Sequence, residues 1–429
     1  MTYREQVSQW EETVSSHLPQ LSKPQVAVLA CWSYALVILK SVGMTQVSVW
    51  LAMLQGGKVD AWRQKLREWC YDAQDKKGDQ RAQLEVASCF APLLQWILSW
   101  WEKQEHRLVL VVDASALGTR LTVLSVSVVY RGTAIPVAWH LLVAGTKGAW
   151  EPLWEELLAR LAPAVPSNWQ VLVLADRGLY SKDLYQAVQS HGWHPFLRLK
   201  AQGTVRQAGR DDYQPLRTLT PADGTVWSGR VTCFQSQKQL ADTTLLIVQV
   251  QGYDDTWFVV TDLDSQQSVL AWYAMRFWIE VGFKQFKRGG WQWQHSKMTD
   301  PRRVERYWMV MAVATLWTVS MGGQGEAALP ASSLEDLPPK HIARRLATGR
   351  PRPAVLSQFT WGRLWLLRAM LEQEPLGAGY FAYAAWPQDL PTLRRRRKSK
   401  RHKKSREQRK RWQRQYRARH KQEGHKGCA

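Results

Sequence analysis

Cysteine is scarce in this chain, and the five present (Cys31, Cys70, Cys89, Cys233 and Cys428) show no CxxC spacing and no companion histidine pair. That pattern argues against a zinc site or a disulfide framework and suits a reducing interior. Long apolar runs are also lacking. Val26 to Leu39 is too short to span a bilayer, and the run from Tyr307 to Gly323 is interrupted by Ser, Thr and a Gly pair. Both are expected as core helices, with no membrane association. The opening residues, MTYREQVSQWEETVSS, are polar and mixed in charge. They carry no secretory pattern, so a cytoplasmic location is expected.

Acidic residues are in short supply: 36 Asp and Glu face 58 Lys and Arg, a net charge of +22. The excess is concentrated at one end. From Arg394 to Lys426 there are 18 Lys/Arg against two Glu. A segment so charged repels itself, has no apolar face, and reads as a disordered basic arm attracted to polyphosphate, or more blandly as a solubilising tail. The remainder is globular in composition. Hydrophobic residues make up 45% of the chain and there are 25 Trp, enough apolar surface for two or three cored domains.

The periodicity divides the chain into six parts. Residues 1–105 read as helical; within them TQVSVWLAMLQGGKVDAWRQKLREW is a helix pair about Gly56 and Gly57, compatible with a helix-turn-helix-like DNA reader and equally with plain bundle packing. Residues 106–200 follow the order β, β, β, α, β, α, β, which describes an α/β fold with a mixed sheet flanked by helices. Residues 201–263 are strand-rich and punctuated by turns, the mark of a β-rich insertion. Residues 264–325 are helical again, 326–393 hold a Pro-punctuated linker and a further helix, and 394–429 are the basic tail.

Two acids occupy equivalent positions. Asp113 follows LVLVV and Asp176 follows VLVLA, so each is expected at the carboxyl end of a buried strand. Active groups of open α/β sheets gather at that edge. Asp after a strand also commonly caps a turn. If the two strands are neighbours, the carboxylates converge and require a cation between them, and hard oxygen donors suit Mg²⁺ or Mn²⁺.

A third acid, Glu280, lies in WYAMRFWIEVGFKQFKRGGW. Placed on one continuous α-helix from 272 to 287, Tyr273, Arg276, Glu280, Lys284 and Lys287 form one narrow polar stripe on an otherwise apolar helix. Such a stripe is either a solvent-facing ion-pair ladder or a face turned to a phosphate backbone, with Glu280 completing a carboxylate set.

The three segments together resemble the DDE transposases of the IS4 type, bacterial insertion-sequence enzymes with an RNase H-like catalytic core. Their signature of Tyr, two residues, Arg, three residues, Glu, six residues, Lys is matched here by Tyr273, Arg276, Glu280 and Lys287. ADRGLYS, with Asp176, Gly178 and Tyr180, is similar to the segment of the family's second Asp. The resemblance covers about residues 105–320, and a β-rich insertion would fill the long interval from Asp176 to Glu280.

It implies that Asp113, Asp176 and Glu280 are catalytic and hold two Mg²⁺ ions, with Mn²⁺ as a substitute, for DNA end cleavage and strand transfer. Tyr273, Arg276 and Lys287 are then expected to grip phosphates, with Lys284 beside them. The implied partners are double-stranded DNA, as terminal inverted repeats and target, and a second protomer in a synaptic complex. Trp257 and Trp291 are conceivable stackers for a flipped base, or core residues. The alternatives are an inactive or repurposed DNA-binding relative and a basic structural or RNA-associated protein.

Overall fold

A computed structural model describes residues 1–77, 82–146, 150–222, 224–235, 238–249, 256–328 and 356–390. The Pro-punctuated stretch after Ala328 and the basic tail lie outside the described residues.

The N-terminal part is helical, as its periodicity predicts. Helix α1 (Tyr3–His17) opens on a capping box in which Thr2 and Glu5 bind each other's backbone N–H groups. Helix α2 (Lys23–Leu39) repeats the device with Ser22 and Gln25. Helices α3 (Met44–Gln55) and α4 (Val59–Cys70) are joined through Gly56 and Gly57 at φ 81° and 89°, a left-handed turn that glycine adopts without strain. Helix α5 (Phe90–Ser99) leads into the sheet. Among the described residues no single helix is long and apolar enough to cross a membrane; α2 and α3 meet at 103°.

Strands β1 (Arg107–Leu117), β2 (Leu121–Tyr130) and β3 (Thr133–Val143) form an antiparallel meander. Helix α6 (Glu151–Leu161), strand β4 (Gln170–Ala175), helix α7 (Lys182–Ser190) and strand β5 (His194–Arg198) follow, with β4 parallel to both β1 and β5. Strands β6 (Thr204–Gln207), β7 (Gln214–Pro215), β8 (Val226–Cys233), β9 (Leu240–Val248) and β10 (Trp257–Thr261) extend the same sheet. Ten strands among the described residues run in the order β3-β2-β1-β4-β5-β10-β9-β8-β6-β7. The order β3-β2-β1-β4-β5, three antiparallel and then two parallel, is an RNase H-like sheet.

One expectation changes at β1. Asp113 does not end the strand, because β2 continues to pair with β1 from Leu110↔Val128 to Leu117↔Leu121. What ends near Asp113 is the pairing of β1 with β4, whose last register is Val112↔Ala175. Beyond it, among the described residues, β1 runs on with a neighbour on one side only.

The faces of the sheet are sorted by the two-residue strand period. Leu108, Leu110 and Val112 join a large core with the N-terminal helices and with α9 (Pro301–Ser320). Val109 and Val111, with Leu172 and Leu174 of β4, face a second core built on residues 270–279. Those residues are not one α-helix, as the periodicity suggested. Leu270–Phe277 winds as a 3₁₀-helix and α8 (Trp278–Phe286) follows it.

Helix α9 starts on the Asp300 carboxylate, which accepts from the backbone of Arg302 and Arg303, and is buried along most of its length. Its Arg306 ties the N-terminal helical part to α9: the guanidinium donates to Asp72 Oδ1 at 2.5 Å, to the Cys70 carbonyl at 2.9 Å and to the Leu84 carbonyl at 3.2 Å. Helix α10 (Gly322–Ala327) and helix α11 (Gln358–Leu371) pack against its end. Close approach there needs glycine, since a Cβ on Gly362 would overlap the Thr318 carbonyl.

After α11 an extended strap crosses the molecule. Gln9 exchanges two hydrogen bonds with the Leu376 backbone, Gln6 donates to the Ala369 and Glu374 carbonyls, Phe381 is held between the backbones of Trp100 and Glu102, and Trp386 meets Trp272 edge-on at 5.0 Å. The strap thus passes from the helical side to the second core.

Gly282 sets how closely α8 sits on β3. A Cβ there would lie 2.9 Å from Ala134 Cβ and 3.0 Å from the Ala134 carbonyl oxygen. Overpacking of this kind costs about 1–3 kcal/mol, against about 1 kcal/mol of helix propensity gained. Gly282→Ala is expected to lower the thermal unfolding midpoint and Gly282→Val to lower it further; midpoints at or above wild type for Val would show that the approach is not tight.

Candidate active site

Strand parity places two of the three acids. Val109, Val111 and Asp113 point to one face, as do Leu172, Leu174 and Asp176, and the parallel register pairs Val111 with Leu174. Asp113 and Asp176 therefore leave adjacent strands at the same level and on the same face. The third acid arrives from α8, which packs over β1, β2 and β3 on that face.

The three carboxylates meet at one side chain. Arg276 Nη2 donates to Asp113 Oδ2 at 3.1 Å and to Asp176 Oδ2 at 3.3 Å, and Nη1 donates to Glu280 Oε1 at 3.1 Å. Two aspartate oxygens bound to one nitrogen can be no further apart than the sum of those distances. The other oxygens of the aspartates are held by the next residue's backbone, Asp113 Oδ1 by Ala114 N–H at 2.8 Å and Asp176 Oδ1 by Arg177 N–H at 2.5 Å. Exposure rises outward: the side chains of Arg276, Asp113, Asp176 and Glu280 are 9%, 16%, 36% and 50% exposed.

The expected polar stripe is thus only half a stripe. Tyr273 and Arg276 are buried, and neither faces solvent as a phosphate-gripping group would. The reason is the 3₁₀ winding, in which residues three apart eclipse each other, so Tyr273 and Arg276 turn together into the molecule. Tyr273 Oη donates to the Ala175 carbonyl at 3.2 Å, fixing the end of β4 just before Asp176. Burial pushes its hydroxyl far above the ordinary tyrosine range.

Lys284 is exposed one turn beyond Glu280 and forms no ion pair among the described residues, so the expected ladder stops at Arg276 and Glu280. Lys287 reaches β1 instead, where its Nζ donates to Ser115 Oγ at 2.8 Å and to the Ala116 carbonyl at 2.9 Å. Burial lowers its affinity for a proton. Trp257 and Trp291 are both core residues, Trp257 edge-on to Tyr273 at 5.2 Å and Trp291 donating to Thr315 Oγ1 at 2.8 Å.

Ser115 was missed from sequence. Its position two residues after Asp113 carried the signal, because strand parity puts both on one face.

Burial raises the Asp113 carboxyl above its usual range; Arg276 and the Ala114 N–H oppose the shift, while Asp176 and Glu280 add to it. Among the described residues no three acidic, His or Cys side chains stand grouped as metal ligands. A guanidinium lies between the carboxylates instead. The donor set still fits a divalent cation: the carboxylates supply hard oxygens only, they already converge on a cationic centre, and one guanidinium balances one of their three negative charges.

Residues 108–317 match the family model described as "Transposase DDE domain". These residues form a transposase DDE domain. The matched span contains the whole constellation of Asp113, Asp176, Arg276 and Glu280, and the transposase domain's RNase H-like sheet supplies both aspartates. Among solved structures the chain is similar to the piggyBac transposase, determined by cryo-EM as a synaptic complex with hairpin DNA. Sequence identity is 10%, the TM-score is 0.32, and the superposition covers 82% of this chain and 84% of that one. A likeness so loose carries no weight for fold or chemistry. No curated protein matches the sequence.

The buried carboxylate of the transposase domain gives a signed expectation. A native-state carboxyl raised above its unfolded value contributes stability that is fully present below the ordinary Asp value of about 3.9 and lost as pH rises through the native value. Asp113→Asn should therefore unfold at a higher temperature than wild type at pH 7 in metal-free buffer, with the gain shrinking as pH falls through the raised native value and gone below about 4. A lower midpoint at pH 7 would mean that the pair with Arg276 outweighs the burial cost.

Proposed function

We propose that this protein is an active cut-and-paste DNA transposase of the IS4 type, which binds the terminal inverted repeats of an insertion sequence and catalyses end cleavage and strand transfer. The observation that carries this reading is the convergence of Asp113, Asp176 and Glu280 on one guanidinium inside a transposase DDE domain. An inactive, DNA-binding relative would have no need to keep three carboxylates together at such electrostatic cost.

Asp113, Asp176 and Glu280 would hold the divalent ions, two Mg²⁺ with Mn²⁺ as a substitute. Bound there, the metal supplies Lewis-acid activation of a water or DNA 3′-hydroxyl and stabilisation of the leaving oxygen. The protein's own groups do the positioning. The backbone N–H groups of Ala114 and Arg177 fix one oxygen of each aspartate and leave the other turned inward. Tyr273 holds the β4 end in register. Lys287, anchored on β1, fixes the far end of α8 and so the pitch of Glu280 over the sheet.

Lys284, exposed beside Glu280, is the cation placed to meet a backbone phosphate. The chain would act on the bacterial nucleoid in the cytoplasm, with two protomers pairing two ends. The tail from Arg394 adds sequence-independent attraction to DNA.

Asp113→Asn, Asp176→Asn and Glu280→Gln are each expected to reduce Mg²⁺-dependent cleavage of inverted-repeat ends by at least about a hundredfold while leaving DNA binding in gel-shift assays largely intact. Persistent cleavage by the Glu280→Gln protein would sink the triad. Removal of residues 394–429 should flatten the dependence of log affinity on log salt, by about 0.9 for each phosphate that the tail had neutralised, and spare the preference for inverted-repeat ends; an unchanged slope would exclude the tail from DNA.

A further inference from the structure

Arg276 stands where the proposed chemistry needs a metal. It is the shared partner of all three carboxylates, with two aspartates on Nη2 and the glutamate on Nη1. We propose that Arg276 is a resident counter-cation: it keeps Asp113, Asp176 and Glu280 assembled in the free protein and competes with divalent metal for the same oxygens, so that metal entry displaces the guanidinium. This inference rests on reading the three acids as a metal-binding set.

Four observations support it. Charge comes first. Three carboxylates share one guanidinium, so the cluster keeps an excess of two negative charges that attracts a divalent ion. Metal and guanidinium claim the same oxygens, Asp113 Oδ2, Asp176 Oδ2 and Glu280 Oε1, and two like unit charges about 4 Å apart repel by about 4 kcal/mol at an effective dielectric of 20.

The second observation is that the arginine is imperfectly housed. Its Nε is buried without a hydrogen-bond partner, although both terminal nitrogens are engaged. A buried unsatisfied donor costs about 1–3 kcal/mol, which weakens the hold of this pose against a competing arrangement.

Third, Arg276 sits at a change of backbone winding. It belongs to the last turn of the 3₁₀-helix Leu270–Phe277, immediately before α8 begins at Trp278. Mid-helix changes between 3₁₀ and α winding recur at hinges. Glu280 lies beyond the change and Arg276 before it, so a small rewinding would move the guanidinium relative to the glutamate without lifting α8 from the sheet.

Fourth, the way out faces the wet side of the cluster. Exposure climbs from Asp113 through Asp176 to Glu280, and the exposed Lys284 follows one turn later. An anionic phosphate at that mouth offers the displaced guanidinium a new bidentate partner. DNA and metal then favour each other's binding, because each relieves the other's competition for the same groups.

The experiment is a calorimetric titration of the full-length protein with Mn²⁺, without and with a short DNA duplex, for wild type, Arg276→Gln, Arg276→Lys and Asp113→Asn, with thermal unfolding run on each as a fold check. Without DNA, Arg276→Gln should bind Mn²⁺ roughly tenfold more tightly than wild type, within the usual range of coupling between sites. Arg276→Lys, which keeps the charge but loses the fork, should fall between them. The duplex should tighten Mn²⁺ binding to wild type and have less effect on Arg276→Gln.

If Arg276→Gln fails to fold, the lysine variant and the DNA dependence of wild type decide. Arginine variants that bind Mn²⁺ no more tightly than wild type, or no coupling to DNA in wild type, would overturn the competition. Mn²⁺ binding to wild type that Asp113→Asn abolishes would leave the metal reading standing even then. No Mn²⁺ binding by any of the four proteins, with or without DNA, would overturn both.

Discussion

The parallel pairing of β1 with β4 is the constraint on which the site depends. Backbone hydrogen bonds along six paired positions, from Arg107↔Gln170 to Val112↔Ala175, lock the two strands in one register. Because side chains alternate with a period of two, that register alone sends Asp113 and Asp176 to one face at one level. A slip of one residue would turn one aspartate into the apolar core on the other side. The aliphatic residues that precede each aspartate therefore secure the geometry as much as the acids do: Val109 and Val111 must be buried on the same side as Leu172 and Leu174.

Much of this was legible in the sequence. The β-branched runs before Asp113 and Asp176, the strand-helix alternation after them, and the spacing of Tyr273, Arg276, Glu280 and Lys287 all point to the fold and its acidic centre. What escaped was nonlocal or a matter of winding. A helical wheel advances 100° per residue, so it puts Tyr273 and Arg276 within 60° of each other, in one stripe with Glu280 and Lys284. The 3₁₀ turn breaks that stripe, eclipsing the first two and turning both into the molecule. The continuation of β1 to Leu117 depends on a partner strand, and the joining of β6 to β10 onto the main sheet depends on pairing with β5 through β10. Neither leaves a trace in local composition.

The centre also shows why an active site is a poor place to look for stability. Three acids gathered around a buried guanidinium desolvate one another's surroundings, and the one deepest in the protein, Asp113, holds its proton more tightly than a free carboxyl. The surrounding sheet must supply the free energy that keeps them together. It does so with two apolar layers, one under each face, and with the Arg306 network that fastens the helical part to α9.

The hydrogen bonds between the first helix and the strap have a kinetic meaning. Gln6 closes on carbonyls 363 and 368 positions later in the chain, and Gln9 on one 367 positions later. Pairings of such sequence separation form late, after the loop entropy of everything between has been overcome. On the ribosome α1 must wait for the strap to emerge, about 20–80 s at ordinary elongation rates. A chain cut short before Ala369 would leave Gln6 and Gln9 of its first helix without these partners, so the helical layer closes only once synthesis has passed through the strap.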